Sequence, residues 1–149
     1  KKKKLIYYSS WNKIENIIDN TKISNKYDVV IGIKSGGAYI SNYVSKVNNI
    51  PYVGYIKVNK KSNNTENNIN FFYTPINLKN KRILIVDDGL FSGKTFNKVK
   101  QFIETKNPSK ISLFLISGYK NTIYKLKKHT KVYINKSTEY YYYGPWGLI

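Results

Sequence analysis

The chain has 149 residues and a mass of 17.4 kDa, the size of one domain, and at that length folding buries about 68–70% of the unfolded surface without staples. It has no cysteine, which excludes disulfides, cysteine-ligated metal sites and a cysteine nucleophile; no apolar run approaches the roughly 20 residues that span a bilayer. Lysine and arginine number 26 against 8 acidic residues, and the resulting net charge of +18 attracts polyanions.

Ser9 and Ser10 are N-cap residues before Trp11, Ile14, Ile17 and Ile18, whose spacing predicts an amphipathic helix to about Asn20. Tyr27 to Ile33 (YDVVIGI) is a β-branched run of the kind that forms a buried parallel strand, and it ends at Ser35, Gly36 and Gly37. A helix is expected from Ala38, with Ile40, Tyr43, Val44 and Val47 inward, closing at Asn48 and Asn49 before Pro51. Pro51 to Val58 is the next strand. Residues 59–70 hold one apolar side chain among amides and lysines, too little to offset the entropy of ordering. They are expected to form a mobile loop, either an active-site cover or an asparagine-rich expansion. Phe71 to Thr74 reads as a returning strand and Lys81 to Val86 as a second buried strand. The acidic, glycine-rich turn DDGLFSGKT then leads into a helix carrying Phe96, Val99, Phe102 and Ile103 on one face, with Pro108 beyond its end. Ile111 to Ile116 is a third core strand, Ile123 to Lys128 a helix and Val132 to Ile134 a short strand; the chain closes on EYYYYGPWGLI. This alternation predicts a single α/β domain over residues 1–149, a mainly parallel sheet with helices on both faces.

The charge itself has a compositional explanation. Arg82 is the only arginine, whereas recognition of bases and phosphates usually draws on arginine's bidentate fork. Lysine, asparagine, isoleucine and tyrosine are abundant together, and their codons are rich in A and T. The lysines are scattered, apart from Lys1 to Lys4 and Lys125, Lys127 and Lys128. A nucleic-acid or membrane partner is therefore disfavoured and a cytoplasmic location expected. Residue 1 is not methionine, so the first residues are expected to be a trimmed or processed end.

In open parallel sheets, ligands sit at the carboxyl ends of strands. Two such ends here carry special chemistry. In IKSGG, residues 33–37, paired glycines let backbone approach a ligand, and the following helix starts with N–H groups directed at it. In VDDGLFSGKT, residues 86–95, two adjacent carboxylates leave a buried strand ahead of a turn whose amides, Ser92 and Thr95 hydroxyls and helix dipole favour an anion. A Walker A loop needs four residues between its glycines, and Gly89 and Gly93 are separated by three, so that reading fails. Carboxylates beside a phosphate cradle suit a ligand with hydroxyls, or a magnesium ion, a few atoms from its phosphate, as in a ribose 5-phosphate.

Val86 to Thr95 resembles the phosphoribosyl pyrophosphate signature of the type I phosphoribosyltransferases: a hydrophobic strand, two acidic residues, three variable residues, Ser or Thr, Gly, a variable residue and Thr. IKSGG stands where that family has its pyrophosphate loop, and the aromatics before Pro145 and Trp146 resemble the closing segment of the small microbial enzymes for xanthine and guanine. The resemblance runs in order from residue 27 to 146. It implies a Rossmann-like type I fold with a small C-terminal hood, residues 59–70 as the flexible active-site loop and residues 135–149 as the base-binding tail. It implies that Asp87 and Asp88 are the catalytic pair on the ribose hydroxyls, with Asp88 touching magnesium or its waters. Gly89, Leu90, Phe91, Ser92, Gly93, Lys94 and Thr95 would hold the 5-phosphate. Lys34, Ser35, Gly36 and Gly37 would hold the pyrophosphate, with a cis peptide at Lys34–Ser35. Tyr141 would stack on the base, the Tyr142 and Tyr143 backbone would read its edge, and Lys120 would contact a 6-oxo group. The implied activity is a step of nucleotide salvage. It is magnesium-dependent transfer of the ribosyl 5-phosphate of phosphoribosyl pyrophosphate to a nucleobase, a purine first, by a homodimer or higher homo-oligomer.

Two positions depart from the family's pattern. Phe91 stands where enzymes for 6-oxopurines carry an Asp, and Ser35 where the pyrophosphate loop commonly has Arg; Lys34 supplies charge there without the fork. A regulator that senses a nucleotide or phosphoribosyl pyrophosphate without turnover is therefore a second reading, and a lysine-rich nucleic-acid binder a third. Plainer accounts of the same residues carry less. A helix cap needs one carboxylate and not two, although Gly36 and Gly37 alone would pass for a turn. At least one ring of Tyr140 to Tyr143 is expected to cover the core, His129 to lie on the surface, and Trp11 and Trp146 to pack.

Overall fold

The computed structural model of the chain describes residues 7–8, 10–59, 68–135 and 142–143, the first and last pairs as backbone only. The three β-branched runs form the centre of a six-stranded sheet of order β4-β3-β2-β5-β6-β7. These strands are β2 (Val29–Ile33), β3 (Tyr52–Val58), β4 (Ile69–Tyr73), β5 (Arg82–Leu90), β6 (Lys110–Gly118) and β7 (Lys131–Ile134). Every pairing is parallel except that of β3 with the edge strand β4. A separate parallel pair, β1 (Tyr7–Tyr8) with β8 (Tyr142–Tyr143), joins the two ends of the chain.

Side chains alternate between the faces of a strand, and both faces of this sheet are covered. Helices α1 (Trp11–Asp19) and α2 (Gly36–Val47) cover one, with Ile14, Ile18, Ile40 and Val44 packed on Val30, Leu84, Val86 and Phe114. Helices α3 (Lys94–Glu104) and α4 (Lys120–Leu126) cover the other, with Phe96, Val99, Ile103 and Ile123 packed on Val29, Ile31, Ile85 and Leu113. Burial on both faces is why β2 and β5 read as unbroken apolar runs rather than alternating ones. The α/β architecture expected from the sequence is the one observed. No helix among the described residues is long and apolar enough to cross a membrane.

Several boundaries differ from expectation. Strand β5 does not stop at Val86: its register with β6 continues through Asp87↔Leu115, Gly89↔Ser117 and Leu90↔Gly118. Helix α2 begins at Gly36 rather than Ala38, and α4 at Lys120 rather than Ile123. Within the expected loop 59–70, residues 60–67 lie outside the described part, Ile69 and Asn70 belong to β4, and the Asn59 N–H donates to the Asn68 carbonyl at 2.7 Å.

From β2 the chain passes through α2 to β3 on one side, then returns to β5 on the other side of β2. That reversal opens a crevice at the carboxyl ends of β2 and β5. The opposite ends are clamped. Arg82 donates from Nε (3.1 Å) and its backbone N–H (2.8 Å) to Asp28 Oδ2, and from Nη2 (2.9 Å) to Oδ1. These bonds hold the Asp28 carboxyl down at about 2. A depressed carboxylate stabilises the fold above its unfolded pKa of about 4 and loses that contribution as pH falls through the folded value. Asp28→Asn is therefore expected to be less stable than the wild type in urea at pH 7, with the gap closing toward pH 2. A gap indifferent to pH would show that the pair is not its source.

Candidate functional site

At the end of β2, the Lys34 N–H donates to the Ile56 carbonyl at 2.8 Å, and the Lys34–Ser35 peptide is cis, as expected. Helix α2 starts immediately after it, and its N-cap residue Ser35 provides no side-chain cap. Gly36 and Gly37 are helical residues, not a turn. A β-carbon on Gly36 would overlap the Asp88 carboxylate, lying 2.7 Å from Oδ1. One on Gly37 would overlap the Val86 carbonyl oxygen and lie 3.0 Å from Asp87 Cα. The glycines are thus required by the close approach of α2 to β5. They bring the two motifs, far apart in the chain, into contact.

At the end of β5, the half-buried acidic pair is ordered by its own backbone: the Asp88 N–H donates to Asp87 Oδ1 and the Gly89 N–H to Asp88 Oδ1, each at 2.9 Å. Ser117 Oγ on β6 donates to the Asp88 carbonyl at 3.4 Å. The Asp88 carboxylate lies against the amino end of α2, the end at which a helix favours negative charge.

Gly89 and Leu90, read from the sequence as part of the phosphate turn, belong to the strand. Leu90 is 3% exposed, packs in the core and accepts the Tyr119 N–H at 2.9 Å through its carbonyl, so its side chain does not face an anion. The turn proper is Phe91 to Gly93. Gly93 has φ +83°, a left-handed conformation that favours glycine, and as N-cap it supplies no side-chain cap of its own to α3. Ser92 Oγ accepts the Lys94 N–H at 3.3 Å, and Thr122 Oγ1 on α4 donates to the Phe91 carbonyl at 2.8 Å, pinning the turn. Ser92, Gly93, Lys94 and Thr95 lie at the amino end of α3. The one guanidinium is committed to Asp28 at the far end of the sheet, so positive charge near the crevice comes from lysines and amides. The Lys34 ammonium stands 4.4 Å from the centroid of the Phe71 ring on β4.

The residues assigned to the base divide. Lys120 is the first residue of α4 and exposed. Beside it, Tyr119 meets the Phe91 ring nearly edge-on, at 5.9 Å between centroids and 74° between planes. Tyr142 and Tyr143 form β8, paired with β1, while Tyr141 lies outside the described residues. His129 is exposed, as expected, and Trp11 is 44% exposed rather than packed away. Sequence reasoning missed Tyr119 and Thr122. Their place just after β6, matching that of Lys34 after β2, was the available signal. Among the described residues no three or more His, Cys, Asp or Glu side chains gather to hold a metal. Asp87 and Asp88 offer carboxylate oxygens, a set magnesium accepts when substrate oxygens and water complete its shell.

Against known proteins, the sequence matches the family described as phosphoribosyl transferase domain over residues 7–146. No curated protein matches it. Among solved structures it resembles a purine phosphoribosyltransferase from Pyrococcus horikoshii OT3, with 22% identity, a TM-score of 0.73, and coverage of 97% of this chain and 95% of that one. It also resembles a hypothetical protein from Neisseria gonorrhoeae with bound ppGpp (17% identity, TM-score 0.75, 98% and 91% covered). A third is an orotate phosphoribosyltransferase from Aeropyrum pernix (12% identity, TM-score 0.63, 83% and 69% covered). At these identities the likeness is one of fold.

Proposed function

The chain belongs to the phosphoribosyl transferase domain family, and from that premise we propose that it transfers the ribosyl 5-phosphate of phosphoribosyl pyrophosphate to a purine base, releasing pyrophosphate. The observation that carries this reading is the seating of Asp88 against Gly36, which sets the acidic pair against the amino end of α2 and a short turn ahead of α3. In this reading Asp87 and Asp88 accept hydrogen bonds from the ribose 2- and 3-hydroxyls. Ser92 to Thr95 hold the 5-phosphate on the amino end of α3, while the amino end of α2, with Lys34, holds the pyrophosphate. Asp88 would also hold magnesium, which when bound neutralises charge on the leaving pyrophosphate. The protein's share of catalysis is positioning and electrostatics, so no acid–base residue is required at position 91. The purine preference rests on the fuller overlap with the Pyrococcus enzyme than with the orotate enzyme.

The ppGpp-bound neighbour favours a second reading, a nucleotide sensor on the same fold. One experiment separates the two. Phosphoribosyl pyrophosphate with magnesium is expected to raise the melting temperature, and a screen of nucleobases to release pyrophosphate with a purine. Stabilisation with no release from any base would favour the sensor; no stabilisation would overturn both.

A further inference from the structure

Phe91 is 51% exposed and apolar, yet it is held from several sides. Its carbonyl is fixed by Thr122, and its ring is fixed edge-on by Tyr119. Ring atoms Cζ and Cε2 lie 3.7 and 3.8 Å from where a β-carbon on Gly89 would stand, so the ring covers the strand residue that directly follows Asp88. A core residue is buried and a loop residue is free to turn; this ring is neither. It is a flat, half-exposed apolar surface at the carboxyl end of β5.

Its place in the sheet says what it faces. Along the carboxyl edge, the segment after β2 meets Asp88 through Gly36, and the Phe91–Tyr119 pair lies on the other side of Asp88, toward β6. Displacement at the ribosyl carbon brings the entering group to the face opposite the leaving group. With pyrophosphate on the α2 side, the acceptor enters from the β6 side. The new carbon–nitrogen bond forms as the carbon–oxygen bond to pyrophosphate breaks; pyrophosphate leaves with the electron pair, and the proton of the acceptor nitrogen passes to water.

We propose that Phe91, braced by Tyr119, is the wall on which the acceptor's ring stacks, making it a specificity-determining residue for flat heteroaromatic acceptors. This rests on the phosphoribosyltransferase reading. Base stacking on an aromatic side chain supports about a 5- to 140-fold loss of affinity on truncation. The test compares GMP with ribose 5-phosphate, which shares the sugar phosphate but lacks a ring, by calorimetric titration of wild type, Phe91→Ala, Phe91→Leu and Phe91→Trp. GMP binding is expected to weaken by that factor in the Ala variant, to stay weak in Leu, which keeps bulk without a flat face, and to recover in Trp. Ribose 5-phosphate binding should change less than twofold throughout. Equal loss of both ligands would make Phe91 a mere prop for the phosphate turn, and unchanged GMP binding would remove it from the site; either overturns the proposal alone. A wild type that binds neither ligand overturns the underlying reading as well.

Discussion

The protein carrying Asp87→Asn and Asp88→Asn together is expected to melt within a few degrees of the wild type and to release pyrophosphate at least about 1,000-fold more slowly. Both carboxylates are half-buried at the end of β5, outside the apolar core, so folding does not depend on their charge. Asparagine retains an oxygen in the same place for the Asp88 and Gly89 N–H groups that now bond these side chains. What it lacks is the negative charge that the proposed function assigns to the ribose hydroxyls and magnesium. Removing one preorganised electrostatic group from a reaction centre commonly costs 100- to 1,000-fold in rate. Thermal unfolding by circular dichroism with a pyrophosphate-release assay measures both halves, and activity within tenfold of wild type would sink the assignment of this pair.

The second large effect separates two adjacent glycines. Gly37→Ala is expected to destabilise the fold by about 1–3 kcal/mol or more, because its methyl group meets the Val86 carbonyl oxygen, backbone in a fully buried central strand with nowhere to move. Gly36→Ala meets only the tip of the Asp88 side chain, which can rotate aside. Its stability should fall by less than about 1 kcal/mol, whereas its rate should fall about 100-fold, the scale of a misplacement of about 1 Å at a reacting centre. Urea unfolding and pyrophosphate release on the two variants decide the matter. Equal destabilisation by both, or a fully active Gly36→Ala, would contradict the contact.

Much of this site could be read from the sequence, because its ingredients are local. A buried run, two carboxylates, then Ser, Gly, Lys and Thr is a pattern set by neighbours in the chain, and it pointed to the carboxyl end of β5, the acidic pair there and the turn that opens α3. Boundaries were harder. Asp-Asp-Gly has the composition of a turn, yet pairing with β6 carries β5 on to Leu90, since a partner strand overrides local preference. Helix α2 starts two residues early for a similar reason: Gly36 and Gly37 are poor helix formers alone, but only they fit against β5. The contacts of Gly36 with Asp88 and of Phe91 with Tyr119 join segments distant in sequence and leave no trace in periodicity. The same holds at the far edge of the sheet, where the Tyr27 and Tyr133 hydroxyls share a hydrogen bond of 2.8 Å.

The reversal of strand order has a kinetic consequence. β2 with α2 and β3, and β5 with α3 and β6, are each local units of the kind that form early, whereas the seam between β2 and β5 closes a long stretch of chain and is entropically the dearer step. The crevice straddles that seam. A partly folded chain therefore has two halves of the crevice and no whole one, and a ligand that spans the ends of β2 and β5 binds only after the halves have joined. Such a ligand favours the native state over every opened one and acts as a rivet across the joint between the halves.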